Sequence, residues 1–308
     1  MTVVPIMLQW PAMKEPTRSD DLASIDTTAD PEPWLRMLRG MWPGDDRKRS
    51  RYRRLFGMLG VRRGSRVLEV GCGAGGAVRF LVKTIEGLGV AVGVDPSQLA
   101  LGEASRLTPA DDGTAATRPS YLAMDGRQLG FADGCFDAVF CSRVLVHAPD
   151  PATIVAEMVR VLRPGGRMLL VEPDRDGILT SVDYDFVNRI FWSDKRSVNP
   201  QIGRQLYPLL RGLDLIVDLV EPSFNVSTQA VSDEHVRVLE QDLAARHGEW
   251  WSLVESGRIT ADELQAYAEA MRRACDAGAY LRCDLEFAYV VRKRDDLPRP
   301  NGTKVSRL

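Results

Sequence analysis

The sequence predicts an open α/β fold with a mostly parallel sheet, and three observations carry that expectation. A short apolar run, Val67-Leu68-Glu69-Val70, enters a turn with glycine at 71, 73, 75 and 76. It leaves the turn on Val78, Phe80-Leu81 and Thr84-Ile85, which recur at helical spacing. Three further apolar runs, around 91–95, 120–125 and 136–142, each end in a polar residue followed by turn or helix signals. Finally, Pro164-Gly165-Gly166 separates a helical pattern from another apolar run at 167–173. Strands alternating with helices make a parallel sheet, because a parallel pair needs a crossover.

Taken in order, residues 1–31 read as a flexible N-terminal arm in which Met7, Leu8 and Trp10 could dock on the body or on a second chain. Residues 32–60 read as cap helices, with Trp34-Leu35, Leu38 and Met41-Trp42 on a stripe, a break at Pro43-Gly44, and Asp45 capping a second helix that Gly60 stops. The main domain spans 61–294. Its glycine turn needs glycine because φ > 0 is cheap only there and because a ligand can then touch the backbone. The following helix points free N–H groups into the turn. Gly71, Gly73 and Gly76 fit the G-x-G-x-x-G dinucleotide pattern, which by itself selects no cofactor. Glu69 does discriminate: a carboxylate there repels a pyrophosphate and suits a cation. Asp95 lies nineteen residues beyond Gly76, where an acid accepts hydrogen bonds from ribose hydroxyls in either class of nucleotide fold. Ser97 caps the next helix, and Asp125 closes the third strand in an Asp-Gly turn. Asp150 and Pro151 open another helix. Beyond 173 come insertions at about 174–212 and 222–280, with Ser232 and the Thr260-x-x-Glu263 box as helix starts. A strand from about 281 to 291 and a frayed tail at 295–308 complete the chain.

The run Val67-Leu68-Glu69-Val70-Gly71-Cys72-Gly73-x-Gly75 resembles the first motif of the class I S-adenosylmethionine-dependent methyltransferases. Phe136-Asp137-x-Val139, His147-x-x-Asp150-Pro151 and Arg160-Val161-Leu162-Arg163-Pro164-Gly165-Gly166 follow in order. Together they resemble the ubiquinone/menaquinone-biosynthesis-type small-molecule branch, over residues 66–173. The resemblance implies a Rossmann-like seven-stranded sheet, mostly parallel with an antiparallel last strand, helices on both faces, and a helical lid formed by the insertions. It also implies S-adenosylmethionine as cofactor, with no metal. The implied cofactor positions are Glu69, Gly71, Cys72, Gly73, Asp95, Pro96, Asp125, Gly126, Arg127, Ser142 and His147.

His147 is the one titratable residue nominated for catalysis: it follows the fourth strand, on the edge where open α/β sheets bind ligands, and imidazole suits a general base. Its plain alternative is to shape the pocket floor. Glu172, Asp174, Tyr184 and Tyr207 are further acid–base candidates with structural roles as the alternative. Tyr184, Phe191, Trp192, Tyr207 and Phe224 are the substrate-pocket candidates. They, with Phe186, Trp250 and Trp251, serve equally as core of the inserted helices.

With 44% hydrophobic residues and a net charge of −2, the 308-residue chain buries a real core and offers no global electrostatic case for nucleic acid. A basic run at 46–54 is the sole support for a tRNA or protein methyltransferase, and a solvated helix face is its alternative. Five cysteines without a C-x-x-C argue against disulfide and zinc frameworks and for a reducing cytoplasm. Three histidines have no ligand-like spacing. No signal peptide or membrane span is read. The expected partners are a small-molecule substrate and a second copy bound through the arm or lid. An NAD-dependent oxidoreductase is the reading from another class; Glu69 and the missing Tyr-x-x-x-Lys oppose it. Nitrogen, oxygen and carbon remain open as acceptor atoms. The long insertions favour a secondary metabolite over a quinone.

Overall fold

In a computed structural model of the chain, the described residues are 26, 31–41, 46–84, 89–109, 118–183, 185–187, 198–213, 215–248 and 250–295. Among these residues seven strands form one sheet: β1 (Arg66–Val70), β2 (Val90–Asp95), β3 (Ser120–Ala123), β4 (Phe136–Ser142), β5 (Leu162–Thr180), β6 (Leu215–Ser227) and β7 (Arg282–Lys293). Their order is β3-β2-β1-β4-β5-β7-β6. The pairs β1–β2, β2–β3, β1–β4 and β4–β5 are parallel, and β7 runs antiparallel to both β5 and β6. The chain winds outward from β1 to β3 and then returns to place β4 on the other side of β1. The strand order therefore reverses between β1 and β4, where the carboxyl ends open a crevice.

The described helices are α1 (Glu32–Met41), α2 (Asp46–Met58), α3 (Gly76–Thr84), α4 (Gln98–Leu107), α5 (Pro151–Val161), α6 (Ile202–Arg211), α7 (Gln229–Ala245), α8 (Trp251–Glu255) and α9 (Ala261–Asp276). Strand alternation divides the apolar side chains between two layers. Val67, Ala138, Phe140, Leu169 and Val171 face Leu55 and Phe56 of α2 and Val78 and Leu81 of α3. Leu68, Val70, Val139, Cys141, Met168 and Leu170 face Ile154 and Met158 of α5 and Leu206 of α6. The ring of Phe56 meets Phe140 edge-on at 5.1 Å, which seats α2 on β4.

The caps largely follow the sequence. The Ser97 hydroxyl accepts the Ala100 N–H, Asp150 accepts the Thr153 N–H ahead of Pro151, and Thr260 and Glu263 form a reciprocal box. Ser232 is a correction: α7 begins at Gln229 after Thr228, so Ser232 lies inside the helix. Asp45 lies outside the described residues, as do the arm except Asp26 and Pro31 and the tail from 296.

The insertions also differ from expectation, because they begin as strand rather than helix. β5 and β6 run past the sheet body and pair with residues 282–285 of β7. The extension carries Ile178 and Val182 into a third apolar core with Phe186, Val236, Leu264, Tyr267 and Met271. Phe186 stacks on Tyr267 at 4.4 Å, and Trp250 packs on the same tyrosine, so both aromatics belong to this core. None of the five cysteines is in a disulfide. No helix among the described residues is long and apolar enough to cross a membrane.

Candidate active site

The glycine turn sits at the carboxyl end of β1, inside the crevice. Gly71, Gly73 and Gly75 all have φ between 48° and 72°, a region that resists side chains. At Gly71 space is short as well: a Cβ there would lie 2.1 Å from Val144 Cγ2. The loop after β4 thus lies directly on the turn. On the β2 side, the N–H groups of Gly71 and Cys72 both donate to Val94 O, and Gly73 N–H donates to Asp95 Oδ2 at 2.8 Å. Asp95 Oδ1 accepts the Ser97 N–H, so this carboxylate ties the turn to the start of α4. Burial raises its pKa, against the pull of those two N–H donors. The Cys72 side chain is buried against Gly93, which leaves only its backbone for a ligand. Pro96 is exposed beside it.

Glu69 is enclosed rather than solvated. It is 6% exposed and accepts the Val78 N–H of α3 at 2.8 Å. Burial pushes its carboxyl up to about 8, the single N–H bond and distant Arg79 notwithstanding. A carboxylate held in that state gains from any cation placed in the turn above it.

Asp125 follows β3 and is exposed. Its carboxylate accepts from Arg127 N–H, Nε and Nη2 in a local ion pair, and that pairing draws its pKa down. A ligand amino group at Asp125 would compete with Arg127. Gly126 packs close to Val70 and Ile154, which brings this turn against the end of β1.

On the β4 side, Ser142 Oγ lies 3.4 Å from Tyr52 Oη of α2. The loop then runs through Arg143 to His147, and two side chains that the sequence reading did not place there clamp it. Glu172 of β5 is fully buried, and its carboxylate accepts the N–H groups of Val144, Leu145 and Val146 at 2.9–3.2 Å. Burial lifts its pKa to about 7 in spite of those three donors. Asn199 Nδ2 donates to Leu145 O and Ala148 O, and its N–H donates to Val146 O. No local pattern announces Asn199; the only available signal was Glu172 at a strand end. Asp174 is likewise fully buried and fully engaged, bound by Arg204 through Nε and Nη2. Neither acid is an open acid–base group.

From the N-terminal side, α1 closes on the turn. Leu38 Cδ2 is 3.3 Å from the position of a Cβ on Gly73. Arg39 pairs with Glu103 of α4, and Asp26 accepts from Ser97 Oγ and the Gln98 and Leu99 N–H groups. Neither of the two described substrate-pocket candidates is enclosed at this crevice. Tyr207 and Phe224 are 48% and 54% exposed, and β6 lies four strands from β1, roughly 19 Å across the sheet. Tyr184, Phe191 and Trp192 lie outside the described residues. The basic run is partly consumed internally, since Arg51 and Arg54 pair with Glu221, Arg51 also with Glu286, and Arg53 lies over the Phe80 ring. Among the described residues no group of His, Cys, Asp and Glu side chains could hold a metal ion.

The glycine cradle, the enclosed acid beneath it and Asp95 beside it fit an adenosine ligand with a cationic end. Comparison with known proteins agrees. Residues 68–170 match the methyltransferase domain family. An uncharacterised 37.1 kDa protein of transposon Tn4556 from Streptomyces fradiae is 34% identical over 202 residues, 64% of this chain and 56% of that protein. A sterol 24-C-methyltransferase of Aspergillus fumigatus is 36% identical over 35% of this chain and 28% of its own length. The chain therefore spans about half or less of the curated relatives it matches. Haemonchus contortus phosphoethanolamine N-methyltransferase 2, solved with S-adenosyl-L-methionine, superposes with a TM-score of 0.53 at 18% identity, over 90% of this chain and 59% of that one. At such identity the likeness speaks for the fold. Residues 68–170 thus carry a methyltransferase domain, and the sheet order and turn chemistry around them agree with the class I, S-adenosylmethionine-dependent type.

Proposed function

We propose that the chain transfers a methyl group from S-adenosylmethionine to a nucleophilic nitrogen, oxygen or carbon of a small organic molecule, with a secondary metabolite as the expected acceptor class. The observation that carries this reading is the enclosed Glu69 carboxylate beneath the left-handed glycine turn, a poor seat for a pyrophosphate and a good one for a cation. Matches to enzymes whose names specify a sterol and phosphoethanolamine support a small acceptor. The bound cofactor supplies an already activated methyl carbon, so the protein has mainly to position and desolvate.

In this reading Glu69 and the backbone of Gly71, Cys72 and Gly73 hold the aminoacyl end. Asp95 beside Pro96 exchanges its Gly73 N–H for ribose hydroxyls, and Asp125 with the backbone of Gly126 and Arg127 takes the base. Ser142 lines the β4 side. His147 takes the proton from the acceptor, a role typically contributing about 10²–10⁴-fold where the nucleophile carries one. The helices α7 to α9 form the lid wall.

Titration calorimetry with S-adenosylhomocysteine and with NAD tests the reading. Micromolar binding of S-adenosylhomocysteine and none of NAD is expected. NAD binding without S-adenosylhomocysteine binding would move the chain to the oxidoreductase class.

A further inference from the structure

Arg143 is the one residue of the β4 loop that stands out both in conformation and in charge. It follows Ser142 directly and precedes Val144, the side chain that lies on Gly71. Its φ is +58°, a left-handed value that a long side chain rarely adopts, and its N–H is spent on Val171 O. Such outliers persist where the surroundings over-determine them, and they cluster at functional sites.

The surroundings here are charged. Arg143 Nη2 donates to Glu286 Oε2 at 2.9 Å. Glu286 is 3% exposed, and its other oxygen accepts from Arg51 Nη1. Arg51 and Arg54 in turn grip Glu221 of β6. Glu286 sits opposite Pro173 of β5 and Ser223 of β6, so the Arg143 guanidinium crosses β5 near Pro173 on its way from β4 to β7. With Arg282 paired to Asp284 close by, four guanidiniums (Arg51, Arg54, Arg143, Arg282) face three carboxylates (Glu221, Asp284, Glu286), which leaves one positive charge over. The other guanidinium nitrogens of Arg143, Nε and Nη1, have no hydrogen-bond partner among the described residues, and the side chain is 35% exposed. Arg51 is only 16% exposed, and its own partnerless nitrogen, Nη2, is buried, so the open donors of this cluster that solvent or a ligand can reach are those of Arg143. Arg143 is thus a guanidinium fixed at one corner, with donors open, on the β7 side of the loop whose Val144 lies on the glycine turn.

We infer that Arg143 binds an anionic oxygen group, a carboxylate in the simplest case, on the methyl acceptor. Glu286 and Arg51 behind it are positioning residues: Glu286 fixes the plane of the guanidinium, and Arg51 keeps Glu286 from neutralising it fully. With one of its Nη2 hydrogens on Glu286, the planar guanidinium still offers the other Nη2 hydrogen beside Nε–H or Nη1–H, a fork that matches a carboxylate. The chemistry has two sources, the acceptor or the aminoacyl carboxylate of the cofactor. We assign the acceptor, because Arg143 is tied toward β7, away from the β1–β2 side where Asp95 closes the turn. This inference rests on the methyltransferase reading and narrows its substrate class.

The test uses the full chain saturated with S-adenosylhomocysteine and a matched set of small aromatic carboxylic acids and their carboxamides, followed by ligand-observed NMR titration. The acids should bind at least tenfold more tightly than their amides. Arg143→Gln should abolish that preference and Arg143→Lys should retain part of it, while both keep S-adenosylhomocysteine affinity within about threefold of the parent, which also reports that they fold. Glu286→Gln should weaken the preference without removing it. Equal binding of acids and amides to the parent, or a preference that survives Arg143→Gln, overturns the proposal and leaves the methyltransferase reading intact. A loss of tenfold or more in S-adenosylhomocysteine affinity in both Arg143 variants assigns the arginine to the cofactor's carboxylate and overturns it too. Failure of the parent itself to bind S-adenosylhomocysteine overturns the underlying reading instead.

Discussion

The carboxylate of Glu172 accepts the backbone N–H of Leu145 at 3.0 Å, from a fully buried position on the neighbouring strand. With Val144 and Val146 on the same carboxylate and Asn199 holding the carbonyls of Leu145 and Ala148, the loop carrying His147 is gripped from both sides. Rigid support is what lets a loop deliver a group to within a fraction of an ångström. Asn199→Ala should therefore cost about 1–3 kcal/mol of stability through carbonyls left without donors. It should also lower turnover at least tenfold with S-adenosylhomocysteine affinity nearly unchanged. Urea unfolding and a radiolabelled methyl-transfer assay read the two effects, and unchanged turnover in a folded variant would show that the loop does not need the clamp.

His147→Ala carries the direct version of the same argument. If the imidazole accepts the acceptor's proton, turnover should fall at least tenfold while cofactor affinity stays within about twofold, since general-base losses typically run to 10²–10⁴-fold. His147→Asn keeps polarity without the base and should lose as much. Near-normal turnover in either variant removes His147 from proton transfer and leaves it a wall of the pocket.

The strands of the sheet body, the glycine turn and most helix caps were legible because their signals are local: an apolar run, a glycine pattern, a serine or aspartate before a helix; the strand order was not, because it is set by which strands pair across the sheet. Glu69 was legible as an acid beside the turn, but not as an enclosed one, because enclosure depends on α3 folding back over it. The clamp by Asn199 and the pairing of Arg143 with Glu286 were not legible. The two members of that ion pair are 143 positions apart and only the sheet register brings them together. The strand extensions that start the insertions escaped for the same reason: residues 174–180 and 222–227 are strand because β7 lies between them, and no periodicity within either segment says so.

Glu69 makes cofactor binding a proton-linked event. Its pKa is raised from 4.5 to about 8, with burial the first cause. A carboxyl whose folded pKa lies above its unfolded one adds stability that is complete below about pH 4.5 and is lost as pH rises through 8. Stability relative to Glu69→Gln should accordingly fall over that window. A cation seated above the turn favours the ionised form, so binding near pH 7 should release protons. Calorimetry in two buffers of different ionisation enthalpy measures the number released. Proton uptake, or release that persists in Glu69→Gln, would place the linkage elsewhere.

Helix α1 lies directly against the glycine turn. Leu38 touches Gly73, and Arg39 holds Glu103, which is only 6% exposed and is also gripped by Arg106. Arg106 is the larger cause, with Arg39 contributing, of a Glu103 pKa drawn down from 4.5 to about 2 against burial. The sign is opposite to that of Glu69: this stabilisation is present above pH 4.5 and lost as pH falls through 2. At neutral pH the α1 contact is therefore fully engaged, and a ligand in the turn should leave slowly. Arg39→Ala and Leu38→Ala should each speed S-adenosylhomocysteine dissociation by about threefold to tenfold in stopped-flow displacement, with smaller effects on association, because losses of this kind fall mainly on the off-rate. Arg106→Ala, which leaves the Arg39 contact in place, should change the off-rate less than Arg39→Ala. Equal off-rates across all three variants would mean that α1 does not cover the ligand.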